Sequence, residues 1–256
     1  MNLSRLYLTF LIILVFTPLS YMNMKIDMIP VNYEKYKSGC EIVSIINSLK
    51  YHKYEISLDE FYENFFIHQD WTYDKKNGTM YAPHPDEIYP GDPRIVKGMN
   101  CGFGSFGHQV QKSIEQYFYA LNCPGNRFSY KYDVNHTVKF EKNVEEKQLK
   151  KILDKKIPII IWSTQASKDS ETEYLKMQEC GGSGNSWRVT DPKWLDNQTY
   201  TWIKGEHCSI VCGYDDRGYI LCDPFRGIIK VDRESLNESR KIFDNQIVYF
   251  ERLHRK

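Results

Sequence analysis

The chain has 256 residues, enough to bury one large core or two small ones. Its 34 Lys and Arg nearly cancel 33 Asp and Glu, and the basic residues are scattered, so composition gives no electrostatic case for a nucleic-acid partner. No Gly/Ser linker, charge block or internal repeat divides it, which predicts a single domain.

The N-terminus stands apart. Arg5 precedes the apolar run Leu6 to Phe16, a basic region followed by a core of signal-peptide length. Pro18 and Ser20 could belong to a cleavage region, although no Ala-x-Ala site follows. The stretch Leu6 to Met24 could equally be a short membrane anchor. Residues 1–24 therefore read as an export segment, cleaved or retained, and 25–256 as the domain it delivers. The expected location is extracellular or at the cell surface, with membrane attachment through this segment as one outcome and a monomer as the expected state.

Ile29 to Tyr33 reads as an extended entry. Cys40 to Tyr51 is a helix with Ile42, Ile45, Ile46 and Leu49 on one face. Ser57-Leu58-Asp59-Glu60 is a capping-box signature that opens a second helix through Phe66. Asp70 to Phe106 lacks periodicity, is rich in Pro, Gly and aromatics, and reads as a functional loop. Ser105 to Leu121 and Glu145 to Lys155 are two further helices. Pro158 to Ser163 is a strongly apolar strand, and Gln165 to Asn185 is polar and undetermined. Cys208 to Tyr214, Tyr219 to Asp223, Gly227 to Val231 and Ile247 to Phe250 are strands, with a short helix or turn over Ser235 to Lys241. Helices first and a mainly antiparallel sheet afterwards make this an α+β chain.

Three segments carry chemistry. Gly39-Cys40-Glu41 puts a thiol at a helix start, where backbone N–H groups and the helix dipole favour a thiolate and could hold an oxyanion. The absent side chain of Gly39 would leave room for a substrate carbonyl. His207 opens an apolar strand and could serve as the base for Cys40. Asp223 ends the next strand. An odd hairpin loop would set Ser209 opposite it and make position 207 its diagonal neighbour, so that it could fix the imidazole tautomer. For the oxyanion, Asn32 is the only upstream amide near Cys40, and the Cys40 N–H is a second candidate.

Seven cysteines leave at least one thiol free if pairing is internal. Cys101 and Cys123 flank a helix and could be bridged. No C-x-x-C or H-E-x-x-H spacing appears, so neither a structural zinc nor a zinc hydrolase is expected, and no cofactor is called for.

These residues, in this order, resemble the bacterial cysteine peptidase-like proteins related to the bacteriocin-leader-processing, or double-glycine, peptidases. The match is carried by Gly39-Cys40-Glu41, Gly91-Asp92-Pro93 with Gly102-Phe103-Gly104, Pro158 to Trp162, Glu206-His207, Gly213-Tyr214-Asp215 and Asp223-Pro224, and spans roughly Ile29 to Phe250. The resemblance implies a papain-like fold, with Cys40 as nucleophile, His207 as base and Asp223 as orienting residue. The relatives carry a Gln upstream of the nucleophile; Val31 to Lys35 has none, and Asn32 is the nearest match.

The leading expectation is an extracytoplasmic cysteine peptidase acting on a peptide or other acyl donor through an acyl-enzyme. An acyltransferase on the same scaffold and a non-catalytic cell-surface binding protein are the alternatives. The segment Trp71 to Phe106 is expected to line or cover the substrate groove, with Asp92 capping its own turn.

Overall fold

The computed structural model describes residues 24–31, 34–94, 101–129, 134–164, 186–190, 198–203 and 205–253. In chain order its elements are β1 (Met24–Lys25), α1 (Cys40–Tyr51), α2 (Leu58–Asn64), β2 (His68–Gln69), β3 (Thr72–Asp74), β4 (Thr79–Ala82), β5 (Tyr89–Pro90), α3 (Gly107–Asn122), β6 (His136–Glu141), α4 (Glu146–Asp154), β7 (Ile159–Thr164), β8 (Ser186–Val189), β9 (Thr199–Thr201), β10 (Glu206–Tyr214), β11 (Gly218–Asp223), β12 (Gly227–Asp232), α5 (Arg233–Lys241) and β13 (Ile247–Arg252). The N-terminal apolar segment and Asn32 lie outside the described residues. Among those described, no helix is long and apolar enough to cross a membrane.

A seven-stranded antiparallel sheet organises the molecule, in the order β12-β11-β10-β7-β13-β6, with β1 beside β10. The continuous apolar run of β7 fits its central place, with Ile159, Ile160, Ile161 and Trp162 all fully buried between β10 and β13. Helices α1 and α3 pack against β10, β7, β6 and β13; α4 and α5 pack against β7, β10, β11 and β12. The fold is thus mixed α+β with an antiparallel sheet.

Local signals explain the helix ends. Ser57 accepts the Glu60 N–H at 3.1 Å and starts α2, which stops at Asn64. Glu145 and Gln148 form a reciprocal capping box at α4, and Asp232 accepts the Ser235 N–H to start α5. A Cβ on Gly39 would stand 2.9 Å from Ile42 Cγ2 and 2.9 Å from Pro93 Cβ. Glycine is therefore required there by packing under the helix start, and its missing side chain does not open space for a substrate.

The structure departs from the sequence reading in four places. The aperiodic segment 70–106 contains β3, β4 and β5. With β8 and β9, strands β3 and β4 build a second sheet in the order β3-β4-β8-β9. Strands of two to four residues are too short to show alternation, and β4 also pairs with β8, about a hundred positions away. Strand β6, at the sheet edge, falls where the sequence pattern assigns no strand. The extended entry at Ile29–Tyr33 forms no strand over its described residues, and β1 lies upstream of it. Finally, Cys101 and Cys123 are not bridged to each other: Cys123 is free, whereas Cys101 is disulfide-bonded.

Candidate active site

Two elements deliver the central side chains. Cys40 is the first residue of α1, and His207 is the second residue of β10. Cys208, directly after His207, gives its N–H to the Cys40 sulfur at 3.4 Å, so β10 brings the histidine backbone to the helix start. The hairpin then places Asp223. Ile210 pairs with Cys222, which sets Ser209 opposite Asp223 and position 207 on its diagonal.

His207 and Asp223 meet directly. His207 Nε2 lies 2.8 Å from Asp223 Oδ2, and both side chains are buried. Asp223 Oδ2 also accepts from Arg226 Nη2 at 2.8 Å, while Oδ1 accepts the N–H groups of Phe225 and Arg226 at 2.9 and 3.0 Å. Burial opposes ionisation of this carboxyl, but His207 and Arg226 outweigh it and hold its pKa below the usual range. The Phe225 ring lies 5.4 Å from the imidazole between centroids and covers this bond.

The Cys40 thiol faces a carboxyl. It donates to Glu41 Oε2 at 3.3 Å, and its hydrogen bonds run to Glu41 and Cys208 rather than to the His207 ring. Burial first, then the Glu41 and Glu206 carboxyls and Cys208, push the thiol pKa well up; the Cys208 N–H pulls only weakly the other way. The helix start was expected to favour a thiolate, and these effects outweigh it.

Glu41 and Glu206 are the site residues that sequence reasoning missed. Glu41 is fully buried, and its Oε1 accepts the Ser105 N–H. Burial pushes its pKa up to about 7 against the pull of its hydrogen bonds and of His207. Burial, then Glu41, drive Glu206 up as well, and its buried Oε1 has no hydrogen-bond partner among the described residues. Gly104, at φ +126°, makes room for both: a Cβ there would stand 2.8 Å from Glu206 Oε2 and 2.9 Å from Glu41 Oε1. The available signal was position, since each glutamate adjoins a candidate site residue.

Among the described residues, Cys40, Glu41 and Glu206 form the group whose donor atoms, within 4.8 Å of one another, could hold a cation. Both carboxyls are pushed toward the neutral form, which is the poorer ligand.

The segment Trp71 to Phe106 supports the helix start. Tyr89 is fully buried and donates to the Ser38 carbonyl, and Ser38 N–H donates to the Pro93 carbonyl at 3.2 Å. Trp71 is buried and donates to the Cys101 carbonyl at 2.9 Å. Tyr89 and Trp71 are thus packing residues, whereas Tyr81 is partly exposed. Asp92 accepts the Arg94 N–H at 2.8 Å and its guanidinium at 2.9 Å, which is the turn-capping role expected of it.

Comparison with known proteins adds the following. The model described as the Peptidase_C39 like family matches residues 25–246. The crystal structure of a protein described as a C39-like peptidase from Bacillus anthracis shares 15% identity and a TM-score of 0.64, covering 91% of this chain and 100% of that one. At that identity the likeness speaks for fold alone. A double glycine motif protease from an AMS/PCAT transporter, solved with its leader peptide, shares 11% identity over 90% of this chain and 99% of that one, with a TM-score of 0.41. No curated protein matches.

Proposed function

The chain belongs to the Peptidase_C39-like family, and from that premise we propose that it is a thiol-dependent peptide hydrolase working outside the cytoplasm. Residues 25–256 form its one catalytic domain, delivered by an export segment at 1–24. Cys40 is the nucleophile, His207 the base and Asp223 the residue that orients it. The buried Asp223–His207 hydrogen bond carries this reading, because its strand also hands a backbone N–H to the Cys40 sulfur.

The chemistry follows from which nitrogen Asp223 holds. An ionised Asp223 accepts Nε2–H, so the neutral imidazole presents Nδ1 as the proton acceptor. For reaction the Cys40 thiol must exchange its Glu41 bond for one to the imidazole. The S–H proton passes to Nδ1, and the sulfur attacks the peptide carbonyl. Asp223 stabilises the imidazolium, which returns the proton to the leaving amine as the C–N bond breaks. Water then attacks the thioester, with His207 again as base. The Cys40 N–H, at the helix start, and Asn32 are the donors assigned to the oxyanion.

One observation favours a second reading. The thiol is bonded to Glu41 rather than to His207, as suits a non-catalytic binding protein that keeps the fold. Incubation with a mixture of unstructured peptides and free amines, followed by mass analysis, separates the readings. Cleavage lost in both Cys40→Ala and His207→Ala supports the hydrolase. Amine adducts in place of cleavage point to acyl transfer. Products that persist in Cys40→Ala, or none from any form, would overturn the assignment.

A further inference from the structure

The two buried carboxyls beside Cys40 have no part in the triad, yet they are the groups its thiol faces. Sulfur, Glu41 oxygen and Glu206 oxygen lie within 4.8 Å of one another, and the thiol hydrogen bond ends on Glu41 Oε2. Two carboxylates this close in a buried pocket cannot both ionise, so the pair holds at least one proton at neutral pH.

The donors say which member holds it. Glu41 receives the Ser105 N–H and the Cys40 S–H, and its carboxylate form is therefore supported. Glu206 Oε1 receives no hydrogen bond from the described residues, so a charge there would be buried without a donor among them. Glu206 keeps the proton, and Glu41 is the member that ionises.

We propose that Glu41 is a positioning residue for Cys40: its carboxylate, beside a protonated Glu206, holds the S–H in a stored orientation away from His207 and restrains formation of the thiolate. The inference rests on Cys40 being the nucleophile, and deepens that reading by naming what regulates it. Ionisation of Glu41 and of the sulfur then compete. The like charges disfavour each other, and one negative charge is shared between them over the neutral pH range. Release of the latch needs Glu41 to be protonated or its hydrogen bond to be displaced by substrate.

The pocket contains other charges. Among the described residues, Glu206, His207 and Cys208 face it from β10, Asp223 from the end of β11 with Arg226 from the turn after it, Tyr89 from β5 and Tyr200 from β9. Burial raises the pKa of both tyrosines and of Cys208, so these stay neutral through the neutral range. Asp223 stays ionised beside His207 and Arg226. His207 is the one further group that could imitate the effect of Glu41, and the test includes it.

The test is the rate at which methyl methanethiosulfonate modifies Cys40 in the intact protein, followed by mass spectrometry from pH 5 to 10 with a chelator present. While Glu41 is neutral, the rate should climb about tenfold per pH unit with the thiolate fraction. Once Glu41 ionises, near pH 7, the climb should flatten into a shoulder. Glu41→Gln, which can still accept the Ser105 N–H, should lose the shoulder and react about tenfold faster at pH 8, one unit above the break. Glu206→Gln should keep the shoulder, since glutamine imitates the protonated acid, and so should His207→Ala. A wild-type profile without a shoulder overturns the proposal even if Glu41→Gln fails to fold. A shoulder that survives Glu41→Gln, or disappears in His207→Ala, overturns the latch and leaves the nucleophile standing. A Cys40 that is inert in every form at every pH removes both.

Discussion

Asp223→Asn is the substitution that separates shape from charge at this site. The carboxylate accepts four hydrogen bonds, two on each oxygen. An amide has one acceptor end. If its oxygen keeps the Phe225 and Arg226 N–H groups, its NH₂ is pressed against His207 Nε2–H and the Arg226 guanidinium. Two charge-assisted bonds are lost, at about 1.5–3 kcal/mol each, or about 3–6 kcal/mol together. His207 can recover one neutral bond, worth about 1 kcal/mol, by moving its proton from Nε2 to Nδ1, which leaves a net loss of about 2–5 kcal/mol. That rescue puts an N–H where the base must be, and a triad held in the wrong tautomer loses about 10⁴-fold in rate. The expected result is a folded protein with a lowered urea midpoint and at most about 10⁻³ of wild-type peptide cleavage. Arg226→Met is the companion, since it removes the guanidinium but leaves the Asp223–His207 bond; it should lose stability and keep most of the activity. Asp223 also sets an acid limit. Its pKa is lowered on folding, so its stabilisation is present above about pH 4 and is lost as pH falls through the folded value. The asparagine variant should lack that acid loss. Cleavage within tenfold of wild type in Asp223→Asn would remove the tautomer argument.

Three further outcomes are expected. Gly104→Ala combines a positive φ with a Cβ 2.8 Å from Glu206 Oε2 and Trp202, and should destabilise by about 2–5 kcal/mol, read as a fall in Tm; an unchanged Tm would mean that the two glutamates are not packed against this backbone. Folding raises the Glu41 pKa from 4.5 to about 7, so its own contribution to stability is fully present below about pH 4 and declines by about 3 kcal/mol as pH rises to 7. Urea titrations of Glu41→Gln should show that decline flattened, and an identical slope would contradict the burial. His52, lowered to about 3 by burial and then by His136, should cost stability as pH falls below about 6.5, and His52→Phe should move acid unfolding to lower pH.

The residues that were legible in the sequence were those whose chemistry or period is local. The apolar face of 40–51 gave α1, the capping box at Ser57 gave the start of α2, and the run 158–162 gave the central strand β7. The diagonal placing of Asp223 by His207 was expected from an odd hairpin loop, but the loop is even, with Tyr214 opposite Tyr219, and a bulge at Cys212 supplies the extra residue that sets Ile210 opposite Cys222. What was not legible depends on partners far along the chain. Strand β4 is flanked on one side by the distant β8, and Tyr89 is bonded to the Ser38 carbonyl. Glu41 and Glu206 were invisible as a pair because 165 positions separate them, and a glutamate beside a site residue is ordinarily solvated. Their burial also changed the reading of Cys40, whose helix-start position suggested a low pKa until two carboxyls stood beside it.

The central claim is that one thiol of this chain is an activated nucleophile driven by His207. Covalent capture by a peptidyl acyloxymethyl ketone, read by intact mass and peptide mapping, tests it most directly. Five cysteines among the described residues are free, and Cys123 is the least buried of them. The account expects one adduct per chain, on Cys40, lost in His207→Ala. An adduct on Cys123 in preference to Cys40, or capture that survives His207→Ala at the wild-type rate, would contradict it.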